Sequence, residues 1–354
     1  MKAIILAGGE GTRLRPLTLS LPKPVVPVVD RPFLRHQLDL LARIGVRNVV
    51  FSVAYQPERV RSVFGDGAAD GFSIRYAVED SPLGTGGAVR NALDQLDERT
   101  LVLNGDVLTD VDLAAVLANH EALGAAATLV LTPVPNPSAY GLVETDADGR
   151  VRRFLEKPDP SQITTDTINA GIYILETRVL DLIPPAQSQS IERAFFPALL
   201  ARGDLVRAHV HRGYWIDIGT PEKYRQVQTD ILNGRFPVAL QGQRGPAGWI
   251  HPKARVAPKA RLVGPVYLGP GVVVEAESVV GPETVLVSDI VVGPGASVAQ
   301  SVLWAGCRVG AHGRVVQALL GPGVQVADHA RLRGAILGEG TVVSSYSCLE
   351  DGTT

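Results

Sequence analysis

Cysteine is nearly missing from this chain: Cys307 and Cys348 are the two among 354 residues. Two cysteines far apart in sequence build no disulfide framework, and such usage suits a reducing compartment. An excess of one charge is lacking too. The formal net charge is −2, which gives no global attraction to nucleic acid, so any anion chemistry has to come from local groups. No apolar run approaches the roughly 18 residues of a membrane-spanning helix. "MKAIILAGG" reaches its glycines after too few apolar residues for a secretory leader. The expectation is a soluble cytoplasmic protein that engages neither membrane nor nucleic acid. Two phosphate-loop patterns are also missing. No Gly-Lys pair occurs for a P-loop, and after Gly9 and Gly11 the third glycine of a dinucleotide fingerprint is replaced by Leu14.

What is present is enough apolar sequence, 45%, to bury a sizeable core in two domains. Through about Arg235, runs of strand length such as "KAIILAG", "NVVFSVAY", "TLVLNGD", "AATLVLTPV" and "GIYIL" alternate with helical segments such as "FLRHQLDLLARIG" and "LAAVLANHEALG". That alternation predicts an α/β fold, a Rossmann-like, mostly parallel sheet covered by helices. Ligands of such sheets bind beyond the carboxyl ends of the strands, where "LAGGEGTR" and "NGD" fall.

After about Gly245 the period becomes six. Ile250, Val256, Leu262, Leu268, Val274, Val280, Leu286, Val292, Val298 and Trp304 recur at that spacing, and after a one-residue slip Val309, Val315, Val326 and Leu332 continue it. Six residues suit one flat side of a triangular parallel β-helix with one aliphatic side chain per side pointing inward. About five coils of roughly 18 residues are expected, with Trp304 as a large interior plug. The reading is a catalytic domain over 1–235, a Gly/Pro/Gln-rich linker over 236–248 and a hexapeptide-repeat β-helix over 249–354.

The loop "LAGGEGTRLRPLTLSLPKP" has phosphate-binding chemistry. Its glycines let backbone N–H groups approach an anion, Thr12 can donate, and Arg13 offers a planar fork for phosphate oxygens. Lys23, between Pro22 and Pro24, is a cation held on stiff backbone. A solvated surface turn is the plainer alternative.

"GGEGTRLRPLT" followed by "PKP" resembles the signature of the sugar-1-phosphate nucleotidyltransferases, or nucleotide-sugar pyrophosphorylases. "EDSPLGTGGA", "LVLNGD", "AYGLVE", "FLEKP", "INAGIYIL" and "YWIDIGTPEKY" follow in that family's order. The six-residue repeat resembles the left-handed β-helix that many members carry. The resemblance implies attack of a sugar-1-phosphate oxygen on the α-phosphorus of a nucleoside triphosphate, with pyrophosphate leaving. Leu6, Ala7, Gly8, Gly9, Gly11 and Thr12 are then nucleotide-binding, with Glu79 and Gly84 near the base. Arg13 would hold the departing pyrophosphate and Lys23 the phosphates at the reaction centre. Gly141, Glu156, Lys157 and Asn169 would bind the sugar phosphate.

Asp106 and Asp217 each end a strand-like run, so both carboxylates can project at one edge and hold Mg²⁺ as hard oxygen ligands. A helix cap or turn residue is the structural alternative for each. Among the family's branches the mannose-1-phosphate guanylyltransferases look most similar, which implies GTP and mannose-1-phosphate. Thymidylyl- and uridylyltransferases of other hexose or heptose phosphates share much of the signature. Glu79 stands where thymidylyl members carry glutamine, and a carboxylate can accept from both N1–H and N2–H of guanine. Alternatively, it caps the following turn. Left-handed β-helices also occur in acyltransferases, for which His312 and His329 would be the candidate bases, and a non-catalytic, sugar-nucleotide-binding subunit is a further alternative. The flat sides of the β-helix suggest a homo-oligomer.

Overall fold

The computed structural model describes residues 1–156 and 159–352. They form two compact units that cut across the sequence order. One comprises Met1–Glu10 and Leu34–Asp217; the other comprises Gly11–Phe33 and the chain from Ile218 onward.

The first unit is built on a mixed sheet. The runs Arg99–Asn104, Lys2–Leu6, Asn48–Val53 and Ser73–Val78 pair in parallel in that order, the last at the sheet's edge. Thr167–Glu176 continues the sheet in antiparallel fashion beside Arg99–Asn104. It in turn pairs with Ala127–Pro133 and with Gly141–Thr145, and the latter pairs with Val151–Glu156. Gly141–Thr145 and Val151–Glu156 form a hairpin across a short loop, which permits only the antiparallel sense. Central residues such as Ile4, Val50, Val102 and Tyr173 are buried in one cluster, which fixes the strand register and with it the ends that carry the loops. Helix Leu113–Leu123 starts at Asp112, whose carboxylate caps Ala114 and Ala115, and ends at Gly124 in the left-handed conformation. Within it His120 is buried between the Thr128 hydroxyl at 2.8 Å and the Glu176 carboxylate at 3.0 Å.

The second unit contains three sheets of parallel strands, the arrangement of the expected left-handed β-helix. Each sheet has six parallel strands, one more coil than the repeat count suggested; in one sheet an antiparallel strand, Gln243–Gly245, is added. The interior column on that sheet runs Leu268, Leu286, Leu303, Leu320 and Leu337. The coil length drops from 18 to 17 between Val298 and Leu303, so the slip comes before Trp304 and not after it. Leu303 therefore faces the interior, and Trp304 points away from it, its indole against Tyr224. Val256, on the first coil of its sheet, is left 36% exposed, because no earlier coil covers it. The expected linker is ordered as well. Gln243–Gly245 pairs with Gly248–Ile250, and the Gln241 N–H donates to Asp30 at 2.8 Å.

Leu303 is stacked between Leu286 and Leu320. Its replacement by alanine is expected to destabilise the β-helix by about 3 kcal/mol, read as a lowered denaturant midpoint with the fold retained; a loss under about 1 kcal/mol would place Leu303 outside the core. His120 supplies a pH test. Burial, the largest cause, lowers its pKa below 6.5, against an opposing contribution from Glu176. The unfolded chain therefore takes up this proton first, and stability falls as pH drops through 6.5 toward the folded value. Substituting glutamine should reduce the loss of denaturant midpoint between pH 7 and 5.5; an unchanged slope contradicts the assignment.

Candidate active site

In the first unit the parallel register brings several loops to one sheet edge. Leu6 pairs with Ser52 on one side and Asn104 on the other, so Ala7–Glu10, the turn at Gly105–Asp106 and the segment entered at Glu79 all leave the sheet at its carboxyl end. Ala7 donates to the Ser52 carbonyl at 2.8 Å, and Gly105 donates to the Leu6 carbonyl at 2.9 Å. A Cβ on Gly105 would lie 2.5 Å from that carbonyl, so only glycine lets the turn carrying Asp106 come this close.

Asp106 leads directly into Val107–Thr109, which pairs antiparallel with Trp215–Asp217, and Asp217 stands opposite Val107. Two residues distant in sequence are thereby set on neighbouring backbone positions. The surrounding bonds hold both. Gln37 Nε2 donates to the Asn104 and Val107 carbonyls, each at 2.8 Å, clamping the two ends of the Asp106 turn. The Tyr140 hydroxyl donates to Asp217 Oδ1 at 3.0 Å. Trp215, beside Asp217, donates from Nε1 to the Ala170 carbonyl at 3.0 Å and meets the Tyr140 ring edge-on. Gln37 and Tyr140 were not among the sequence candidates. Tyr140 lies within "AYGLVE", so its motif pointed to it; Gln37 sits in an ordinary amphipathic helix, and no local signal marks it.

Glu79 makes its contacts inside its own turn and to a neighbouring strand. Glu79 is buried, and its oxygens accept from the Ser52 hydroxyl and the Leu83 N–H, both at 2.9 Å, which is the turn-capping arrangement. Its Oε1 also sits 3.2 Å from where a Cβ on Gly8 would be. Gly84 has φ +67° and opens helix Gly84–Asn91. A Cβ there would meet the Gln189 carbonyl at 2.8 Å, and one on Gly87 would meet the Gln187 carbonyl at 2.5 Å. Backbone packing therefore accounts for glycine at both positions.

Of the sugar-side candidates, Gly141 stands opposite Glu156 in the ladder of Gly141–Thr145 with Val151–Glu156, and Leu142 pairs with Ile168 beside Asn169. Asn169 donates to the Tyr173 hydroxyl at 2.7 Å and accepts from the Gly171 N–H at 3.0 Å, so it shapes the bulge in its strand. Lys157 lies outside the described residues. His209 contacts Asn119, and His211 contacts Asp110.

In the second unit Gly11, at φ +64°, begins a 3-10 turn over Thr12–Leu14 that presents Arg13 to solvent. Thr18 closes this turn, its hydroxyl donating to the Gly11 carbonyl at 2.8 Å. Lys23 is buried at the start of a second 3-10 turn, Lys23–Val25. Its Cβ lies 3.3 Å from the position a Cβ on Gly11 would take, so glycine lets the Arg13 turn pack onto the Lys23 backbone.

Hard carboxylates such as those of Asp106 and Asp217 suit a divalent cation, whose remaining positions phosphate oxygens and water can fill. The chain matches the nucleotidyl transferase domain over residues 2–234 and the GMPPB C-terminal domain over residues 262–353. It is 44% identical over 275 residues to a mannose-1-phosphate guanylyltransferase of Mycobacterium tuberculosis, covering 77% of this chain and 76% of that protein. A probable mannose-1-phosphate guanylyltransferase 1 of Oryza sativa is 39% identical over 288 residues, 78% of each chain. Among solved structures, HddC from Yersinia pseudotuberculosis complexed with GMP-PN is 30% identical, with TM-score 0.56, over 65% of this chain and 99% of that one. A putative glucose-1-phosphate thymidylyltransferase from Bacillus anthracis, 24% identical with TM-score 0.61, shares the fold. Enzymes of this kind take a nucleoside triphosphate and a sugar phosphate and use a divalent metal. With that domain spanning residues 2–234, the chain belongs to the nucleotidyl transferase family.

Proposed function

We propose that this enzyme transfers the guanylyl group of GTP to mannose-1-phosphate, forming GDP-mannose and releasing pyrophosphate. The observation that carries the reading is the ladder setting Asp106 beside Asp217, in a chain similar over three quarters of its length to a protein named for that reaction. A phosphate oxygen of the sugar phosphate forms a bond to the α-phosphorus as the bond to the β-phosphate oxygen breaks. Both substrates are anions, so the step calls for positioned cations more than for a strong base. Arg13, exposed on its turn, binds the departing pyrophosphate, and Lys23 steadies the phosphates at the reacting centre. Asp106 and Asp217 would hold Mg²⁺, which when bound neutralises phosphate charge and orients the α-phosphate. Tyr140, donating to Asp217, fixes that carboxylate's rotamer. Gly141, Glu156, Lys157 and Asn169 serve the sugar phosphate. Cytoplasmic location and homo-oligomerisation through the flat faces of the β-helix belong to the same reading, supported by the scarcity of cysteine and the regularity of the sheets.

Asp106→Asn and Asp217→Asn should each keep the melting temperature within a few degrees and reduce turnover by about 100-fold or more. Near-normal pyrophosphate release by either variant removes that residue from the metal site.

Substrate choice is tested by pairing GTP, UTP and dTTP with mannose-, glucose- and heptose-1-phosphate and scoring pyrophosphate. The GTP and mannose-1-phosphate pair should give the highest kcat/KM; preference for dTTP or UTP defeats the proposal. Since Glu79 already caps the Leu83 turn, Glu79→Gln should keep the GTP-to-UTP ratio within about threefold. A tenfold narrowing, equivalent to about 1.4 kcal/mol, would instead make Glu79 the guanine reader.

A further inference from the structure

The division of the chain puts Gly11–Phe33 in one compact unit with the β-helix, and the bonds inside that unit explain why. Trp304, rotated out of the β-helix interior by the shortened coil, donates from Nε1 to the Tyr224 hydroxyl at 2.9 Å. That hydroxyl donates onward to the Pro27 carbonyl at 2.5 Å. One turn along the same helix, Pro221–Leu232, Gln228 accepts from the Val29 N–H at 2.7 Å and donates to the Pro27 carbonyl at 3.2 Å. Trp304, Tyr224 and Gln228 are all at most 2% exposed, so water does not compete for these bonds. The helix is tied to the β-helix a second time by Arg225, which donates to the Gln317 carbonyl at 2.7 Å. Downstream, Arg31 donates to the Ala239 carbonyl.

Pro27 is four residues from Lys23, and the intervening backbone has little freedom. Val25 donates to the Pro22 carbonyl, Val26 donates to the Lys23 carbonyl, and Phe33 returns to bond the Val26 carbonyl. A shift of Pro27 must therefore be passed to Lys23. Burial keeps the Tyr224 phenol protonated far above the ordinary range, so it can act as acceptor from Trp304 and donor to Pro27 at any working pH.

We propose that Tyr224 and Trp304 are positioning residues for the transfer reaction, through which the β-helix domain sets the place of Lys23. The inference rests on the reading of Lys23 as a cation at the reacting phosphates. It gives the C-terminal domain a part in turnover that is separate from assembly.

Tyr224→Phe keeps the ring and removes both bonds; Trp304→Phe removes the indole donor and leaves the bond to Pro27. At a temperature well below melting, Tyr224→Phe should lower kcat about tenfold with the KM values changed less than threefold, and Trp304→Phe about threefold in kcat. Lys23→Arg, which keeps the charge and alters its placement, should lower kcat measurably. Adding Tyr224→Phe to it should then cost less than a further twofold, because both changes act on one placement. Full additivity of the two substitutions, or a kcat of Tyr224→Phe within twofold of wild type, overturns the positioning role. Wild-type turnover by Lys23→Arg strikes instead at the underlying reading of Lys23.

Discussion

Under the proposed function, the carboxylates of Asp106 and Asp217 have to be brought together before a metal ion can be held. Like unit charges 4 Å apart repel by about 1 kcal/mol in water and several-fold more where water is partly excluded, so their placement needs rigid backbone. The chain supplies it with a short antiparallel ladder between Val107–Thr109 and Trp215–Asp217. Its supports include a glutamine amide across the Asp106 turn, a tyrosine hydroxyl on Asp217, and an indole bonded to the Ala170 carbonyl.

The segment carrying the two candidate cations is organised by different means. Arg13 and Lys23 come from a stretch of short 3-10 turns and several prolines whose backbone bonds are nearly all local, such as Leu14 to Gly11 and Val26 to Lys23. Its stiffness is borrowed from helix Pro221–Leu232, whose buried face carries Tyr224 and Gln228, and from Trp304 behind it. In sequence order the β-helix reads as an appendage to a finished catalytic domain. In space, the segment with the two cations belongs to the same compact unit as that β-helix.

Periodicity made much of the fold legible. The apolar runs marked the central strands, and the six-residue rhythm located most interior β-helix positions, from Leu268 to Val298 and again from Val309. It misplaced Trp304 because "SVLWAG" offers three successive apolar residues; hydrophobicity alone cannot tell which of them a one-residue deletion turns inward. Asp106 and Asp217 stood out because each ends a strand-like run and belongs to a family motif, and the ladder brings their backbones near each other. Glu79 was ambiguous for a physical reason: its cap needs Ser52, a partner on a different strand. Gln37 was invisible, since its function is defined by two carbonyls about seventy residues away.

The glycines of the motifs divide by the same logic. At Gly84, Gly87 and Gly105 an added Cβ would run into backbone carbonyls of the chain itself, so packing demands glycine whatever the protein binds. At Gly11 the demand is a positive φ and the nearness of Thr18 and Lys23. Gly9 is different. It is exposed, its φ lies outside the left-handed region, and a Cβ would meet nothing within 4 Å. Neither the fold nor the local conformation asks for glycine there. What a side chain at that position would obstruct is approach from solvent to the backbone N–H groups at the sheet edge, the direction from which a nucleotide phosphate arrives under the proposed function.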